Sequence, residues 1–247
     1  MKQTTCILAL ACWLSAWPVF AGISLSATRL VVEAGKRDTS LTVKNTGTEP
    51  FLAQSWLQAD EFDDAGTVNE LWVTPPVVRI DGGREALIRI LPLDISRLPK
   101  DRESVFYLNV QQVPQANTAA ENKMVLAIRQ RIKVFFRPEG LTGEADKSVN
   151  NLLWIMSASD ATKFELQVEN PSVFSISFAS TSLYAGDILL GKSPAFLLKP
   201  FERRTLTITR DPAHSGKAAE RIHFDTINDF GVVHAHDLPI GSARPRG

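Results

Sequence analysis

Two histidines form the clearest candidate for metal chemistry in the chain. His234 and His236 are separated by one residue, and side chains two apart on a β-strand point to the same face, so both could reach one ion. Two neutral imidazoles do not complete a metal site, and His214 and His223 are the only other histidines. We predict an exposed edge strand here and no bound metal, with a metal-binding protein that uses His234 and His236 as an alternative.

Motifs that support the common enzyme classes are absent from the sequence. It has no glycine-rich phosphate loop, no Gly-x-Ser-x-Gly turn and no His-Glu-x-x-His pair. The acidic run from Asp60 to Asp64 lacks the alternating oxygen ligands of a calcium loop and is interrupted by Phe62, which is typical of a solvated hairpin loop. We therefore predict that the protein is not an enzyme and uses no cofactor.

Composition and charge describe a folded, exported protein. The 247 residues are 44% hydrophobic and 22% charged, and 27 basic groups balance 27 acidic ones, so no overall field attracts nucleic acid or an anionic membrane. Lys2 precedes an apolar run from Cys6 to Ala21, which predicts a secretory signal peptide over residues 1–21. The run is shorter than a bilayer requires, so we expect no membrane insertion; a retained anchor helix is the alternative.

Short alternating segments separated by turn residues every 8 to 12 positions predict an all-β fold of two sandwiches. The stretch from Arg137 to Gly143, with one proline and two glycines, predicts a boundary between domains at 22–140 and 141–247. The expected strands of the first domain are Ile23 to Val32, Leu41 to Lys44, Phe51 to Leu57, Val77 to Ile80, Ala86 to Leu91, Val105 to Val110 and Met124 to Phe136. Those of the second are Leu152 to Ser157, Lys163 to Val168, Ser172 to Ser180, Ser182 to Leu190, Thr205 to Arg210 and Ile222 to Ile227.

Two features suggest recognition rather than catalysis. Alternation places Met124, Leu126 and Ile128 on one face of the last strand of the first domain, where they either fill the core or remain exposed for β-strand addition to a partner. Glu103 stands among apolar neighbours and needs a cation if it is buried, and Arg137 is available.

Several motifs in one order resemble the periplasmic chaperones of the chaperone-usher pathway, and the resemblance covers the whole mature chain. The motifs are Ile23 to Val32 with Arg29, Thr74-Pro75-Pro76-Val77, Leu98 to Asn109, Arg131 to Pro138, Glu169-Asn170-Pro171 and Ile227-Asn228-Asp229-Phe230-Gly231. The resemblance implies two immunoglobulin-like sandwiches set at an angle around a cleft. Nine residues between Pro114 and Met124 match the branch of the family with a short loop, and Thr74-Pro75 and Pro75-Pro76 are candidates for a cis peptide bond.

The same resemblance implies the roles of individual residues. Arg29 and Lys133 match the cleft pair that anchors the C-terminal carboxylate of a pilin-like subunit. Met124, Leu126 and Ile128 match the side chains lent to the subunit's groove. The resemblance also assigns an ion network between the domains to Glu103, Arg137 and Asp229.

The alternation of side chains along the strand raises a difficulty for this assignment. Lys133 has an odd number and the three apolar residues have even numbers, so a regular strand would put them on opposite faces. We predict a bulge or bend between Ile128 and Lys133; a lysine that reaches the cleft from the other face is the alternative.

We therefore expect a periplasmic chaperone, monomeric in its complexes, that captures pilin-like fimbrial subunits and delivers them to an outer-membrane usher. A two-domain surface fibre subunit or adhesin is one alternative, and a periplasmic metal-binding protein is another.

Overall fold

The chain folds into two β-sandwiches, each with its own hydrophobic core. The computed structural model describes residues 22–61, 68–114 and 126–240. One cluster of buried apolar side chains lies between Ile23 and Phe136, and a second lies between Leu152 and Phe224. Alternating strands produce this division because each strand turns every second side chain toward its own core. The predicted all-β fold is confirmed.

Within residues 22–61, 68–114 and 126–137, nine strands in two sheets form the first sandwich. They are β1 Ile23–Leu25, β2 Arg29–Glu33, β3 Thr39–Asn45, β4 Phe51–Gln58, β5 Leu71–Thr74, β6 Val77–Ile80, β7 Glu85–Pro92, β8 Ser104–Pro114 and β9 Arg129–Arg137. One sheet has the order β1-β3-β7-β5, and the other has the order β2-β9-β8-β4-β6. A short 3₁₀ turn, Ile95–Arg97, precedes β8.

The first predicted strand proves to be two. β1 pairs antiparallel with β3 in one sheet, whereas β2 pairs parallel with β9 in the other, so the chain crosses between sheets at residues 26–28. The prediction of one strand from Ile23 to Val32 was therefore wrong. Hydrophobic alternation continues through the crossing and does not mark it. Strand β5 was also not predicted. Of the two candidate bonds, Thr74-Pro75 is the one in the cis form.

In the part of the second domain that the structure describes, up to Ile240, eight strands form the sandwich. They are β10 Leu153–Ser159, β11 Lys163–Glu169, β12 Ile176–Ala185, β13 Ile188–Ser193, β14 Phe196–Leu198, β15 Arg203–Thr209, β16 Arg221–Ile227 and β17 Val233–Pro239. One sheet has the order β10-β11-β15; the other has the order β13-β12-β16-β17, with β14 also paired to β12. The predicted break between Ser180 and Ser182 was wrong, because β12 continues through a bulge there and turns only at Gly186, where φ is +57°.

Helix is scarce, as expected. The one α-helix in the described ranges is α1, Ala145–Ser148, followed by the 3₁₀ turn Val149–Asn151; another such turn is Pro212–His214. No helix within the described ranges has the length and hydropathy needed to cross a bilayer.

Candidate functional site

Strand β9 carries Lys133 and Arg137 of the predicted site and runs without a bulge. Its antiparallel register with β8 is continuous from Gln111 opposite Arg129 to Ser104 opposite Phe136. One further ladder hydrogen bond, from Gln112 N to Ile128 O at 2.8 Å, extends the same register. The predicted bulge or bend between Ile128 and Lys133 is therefore wrong, and the alternative in which Lys133 lies on the other face holds.

The two faces of β9 consequently have different environments. Ile132 and Val134 are buried in the first core, and Ile128 packs against the same core. Lys133 alternates with them and therefore points to the opposite face of the sheet. The anchor and the apolar residues thus lie on opposite faces of one straight strand.

Arg29 and Lys133 are neighbours in the sheet. The parallel register of β2 and β9 places Arg29, the first residue of β2, directly opposite Lys133. Arg29 is buried, with 8% of its surface exposed, and its Nη1 donates a 3.0 Å hydrogen bond to the carbonyl oxygen of Ile227 in the second domain. Its Nε is buried with no hydrogen-bond partner among the described residues.

The electrostatics of this pair favour an anion. Burial lowers the pKa of both Arg29 and Lys133, and the Arg29 charge lowers that of Lys133 further. Across the described ranges, neither cation forms a salt bridge with a carboxylate, although Asp229 partly offsets the shift at Arg29. Two adjacent, partly desolvated cations bind a carboxylate strongly when one is supplied.

The apolar segment before β9 is only partly described. Met124 lies outside the described residues, Leu126 is 71% exposed, and Ile128 is half-buried. The strand was predicted to begin at Met124 but begins at Arg129, since Leu126 lies beyond the last described ladder bond with β8. The side chain of Leu126 therefore does not fill the first core, whereas Ile128 contributes to its edge.

The three residues assigned to the interdomain network are in contact. Arg137 donates to Glu103 Oε1 through Nε at 3.0 Å and Nη2 at 2.7 Å, and its Nη2 also reaches Asp229 Oδ2 at 3.0 Å. The second oxygen of Glu103 accepts from Ser175 N at 2.9 Å. Burial raises the pKa of Glu103, and Arg137 opposes that shift. The guanidinium also lies over the Phe174 ring, 5.1 Å from its centroid.

Two further residues, Glu61 and Tyr107, lie beside Lys133 and were not assigned to this site from the sequence. Tyr107 stands opposite Lys133 on β8, and its hydroxyl lies 3.5 Å from Glu61 Oε2. Their proximity follows from strand register and from a loop after β4, neither of which has a local sequence signal.

The histidine pair lies on edge strand β17, as predicted. His236 Nε2 is 2.8 Å from Thr226 Oγ1, and His234 Nε2 is 3.2 Å from the Asn228 side-chain nitrogen. Residues 22–61, 68–114 and 126–240 contain no cluster of three or more metal-ligating side chains.

Comparisons with known proteins agree across the whole folded chain. Residues 22–142 match the family described as "Pili and flagellar-assembly chaperone, PapD N-terminal domain", and residues 147–238 match "Pili assembly chaperone PapD, C-terminal domain". The probable fimbrial chaperone LpfB of Escherichia coli O157:H7 is 37% identical over 235 residues, covering 94% of each chain.

Solved structures share the architecture. The CupB2 chaperone of Pseudomonas aeruginosa is 30% identical, with a TM-score of 0.73, and the match covers 88% of this chain and 100% of CupB2. A chain from the Salmonella enterica complex of SafA pilin with the SafB chaperone is 26% identical, also with a TM-score of 0.73, covering 91% of this chain and 99% of that one. With both domains matched, this chain belongs to the PapD family of pilus-assembly chaperones.

Proposed function

We propose that the protein is a periplasmic chaperone that captures pilin-like subunits by strand donation and passes them to an outer-membrane usher. Residues 1–21 act as the signal peptide, and 22–140 and 141–247 are the working domains. The protein acts by binding, without a covalent step or a cofactor. Arg29 and Lys133 hold the subunit's C-terminal carboxylate, and Met124, Leu126 and Ile128 are lent to its groove.

One observation carries this proposal: two neighbouring cations, the buried Arg29 and the partly buried Lys133, form no salt bridge within the described ranges. Burying a charge without a counter-ion costs several kcal/mol, so such a pair is expected where a ligand supplies the opposite charge. A chain terminus is a carboxylate that occurs once per subunit. Its capture therefore selects a chain end over the many carboxylates of side chains.

The strand geometry supports a specific path for the subunit. β2 covers only the Lys133–Arg137 part of β9, and the earlier part of β9 extends beyond the start of β2. A subunit strand that runs parallel to β9 would lie in line with β2 and would end where β2 begins, beside Arg29. Its terminal carboxylate would then meet the two cations.

The apolar residues contribute the second part of the binding energy. Leu126 exposes 71% of its surface, and transfer of such a side chain into a groove contributes about 1.5 to 3 kcal/mol before ordering costs. Release follows when the N-terminal extension of the next subunit replaces the lent strand. The surface-fibre alternative is less favoured, because a subunit would lack its last strand and would not need the Arg29 and Lys133 pair.

Co-expression with a cognate pilin subunit tests the proposal. The tagged protein is purified as the wild type, as Lys133→Met and as Leu126→Glu, and the bound subunit is identified by mass spectrometry. Leu93→Glu is a matched control, because Leu93 is 67% exposed on the same domain but follows β7 in the other sheet.

We expect the wild type and Leu93→Glu to retain the subunit, while Lys133→Met and Leu126→Glu lose it and keep the wild-type unfolding temperature. Equal recovery of subunit with all four proteins would contradict the proposed anchor and donor. Unfolding of Leu126→Glu would instead identify Leu126 as a core residue.

A further inference from the structure

A glutamate lies at the outer side of the cation pair. Glu61 follows β4, and its carboxylate is 3.5 Å from the Tyr107 hydroxyl, which donates to it. The backbone oxygen of Glu61 accepts a short hydrogen bond from Arg131 Nη1, which holds the residue against β9. Both contacts bring the Glu61 carboxylate toward the face of the sheet that carries Lys133.

Strand register explains why Glu61 affects the anchor. Arg29, Lys133 and Tyr107 occupy one row across β2, β9 and β8, so Tyr107 flanks Lys133 on the side away from Arg29. Glu61 is the main influence that raises the pKa of Lys133 against the effect of burial. Burial and the nearby Glu61 carboxylate raise the pKa of Tyr107 to about 12. The glutamate is thus close enough to act on both groups.

We propose that Glu61 is an internal counter-charge for the anchor and competes with the incoming carboxylate for Lys133 and Tyr107. This inference rests on the proposed function, because it concerns the same carboxylate site. In the unbound protein, Glu61 partly neutralises Lys133. In the complex, the subunit carboxylate takes over that role, and Glu61 is left beside a like charge.

The contacts show why Glu61 competes weakly enough to be displaced. At 3.5 Å, its contact with the Tyr107 hydroxyl is longer than an ordinary O–H···O hydrogen bond. It forms no salt bridge with Lys133 within the described ranges, so it gives partial compensation and not a closed ion pair. A glutamate in full contact with Lys133 would occupy the anchor, and a distant one would leave Lys133 without a compensating carboxylate in the free protein.

Binding of synthetic peptides to the full mature protein tests the inference. The probe is a short peptide with alternating apolar residues and a free C-terminal carboxylate, and the same peptide with a C-terminal amide is its control. Wild type is compared with Glu61→Gln and with Glu85→Gln, which removes the same charge from an exposed position on the other sheet. Dissociation constants are measured by calorimetry, and thermal unfolding is followed for each variant.

We expect Glu61→Gln to bind the acid peptide roughly three- to tenfold more tightly, as for the removal of one partly screened charge pair, with little change for the amide. Its unfolding temperature should fall slightly, because Lys133 loses a compensating charge. Glu85→Gln should behave as wild type. Unchanged or weaker binding of the acid peptide by Glu61→Gln would overturn the inference, whereas equal binding of acid and amide by the wild type would overturn the anchor itself.

Discussion

Replacement of Arg137 by methionine tests what keeps Glu103 buried between the domains. The Glu103 side chain is 2% exposed, and one of its oxygens accepts both bonds from Arg137, at 2.7 and 3.0 Å. Methionine keeps much of the side-chain volume but leaves that oxygen without these donors. Removal of one partner from a buried ion pair costs about 3 to 5 kcal/mol, because the remaining charge stays desolvated. We expect a loss of that size in the free energy of unfolding at pH 8.

The loss should depend on pH in a defined direction. Burial raises the pKa of Glu103 above its ordinary value of 4.5, and the charge of Arg137 is the largest opposing influence. Without Arg137 the folded-state pKa rises further. A carboxyl group with a raised folded-state pKa destabilises the fold fully above that pKa, and the penalty fades as pH falls toward the unfolded value. Arg137→Met should therefore be less destabilising at pH 5 than at pH 8.

The loss of free energy of unfolding is measured by urea unfolding at the two pH values. Tryptophan fluorescence and circular dichroism follow the transition, and its midpoint and slope are determined for each domain. Arg79→Met is the matched control, because Arg79 pairs with Asp81 at an exposed position, where such a pair contributes under about 1 kcal/mol. The double variant Arg137→Met with Glu103→Gln should recover much of the stability and lose the pH dependence. An equal loss at both pH values, or one no larger than that of Arg79→Met, would refute the reasoning.

Three further outcomes are expected. Gly231→Ala should lower the free energy of unfolding by about 1 kcal/mol or more, and with it the unfolding temperature, because φ is +82° and an added Cβ would lie 2.6 Å from Thr28 Oγ1. Gly216→Ala is the control, because the space around Gly216 is open. Asn170→Ala should cost about 1 to 3 kcal/mol in urea unfolding, because its buried amide nitrogen donates to the carbonyl oxygens of Phe174 at 2.7 Å and Lys199 at 3.1 Å. Asn69→Ala, at an exposed position, should cost little. Zinc or copper should leave the unfolding temperature unchanged, and a rise abolished by alanine at both histidines of β17 would favour the metal-binding alternative.

Local patterns were sufficient to predict the fold class and the pairing of Glu103 with Arg137, whereas the place of Asp229 in the interdomain network was implied only by the family resemblance. Turn residues and alternation predict short strands wherever they occur, and a glutamate among apolar residues requires a cation, so Glu103 and Arg137 could be paired from sequence. The crossing between sheets at residues 26–28 could not be predicted in this way, because the partners of β1 and β2 are distant in sequence and alternation is the same in either sheet.

The predicted bulge failed for a different reason. It assumed that the anchor and the lent side chains must share one face of β9, whereas the straight ladder from Ile128 to Phe136 puts Lys133 on the opposite face. A strand added at the edge meets both faces of its neighbour, so no bulge is required. Glu61 and Tyr107 escaped prediction because only the register across β8 and β9 brings them to Lys133.

Arg29 links the interdomain contact to the anchor. Its Nη1 is held by the carbonyl of Ile227, and two residues later Asp229 binds Arg137, so the network that joins the domains also positions the bond that holds Arg29. One hydrogen bond to a charged group contributes about 1.5 to 3 kcal/mol, which is less than the several kcal/mol lost on burying a guanidinium, and Nε has no partner in the described ranges. The unbound chaperone is therefore destabilised at this residue. In the proposed complex, the subunit carboxylate would offset that cost, so part of the affinity for a chain end would come from the desolvation of Arg29 in the free protein. Any change that shifts the second domain relative to β9 should then alter that affinity.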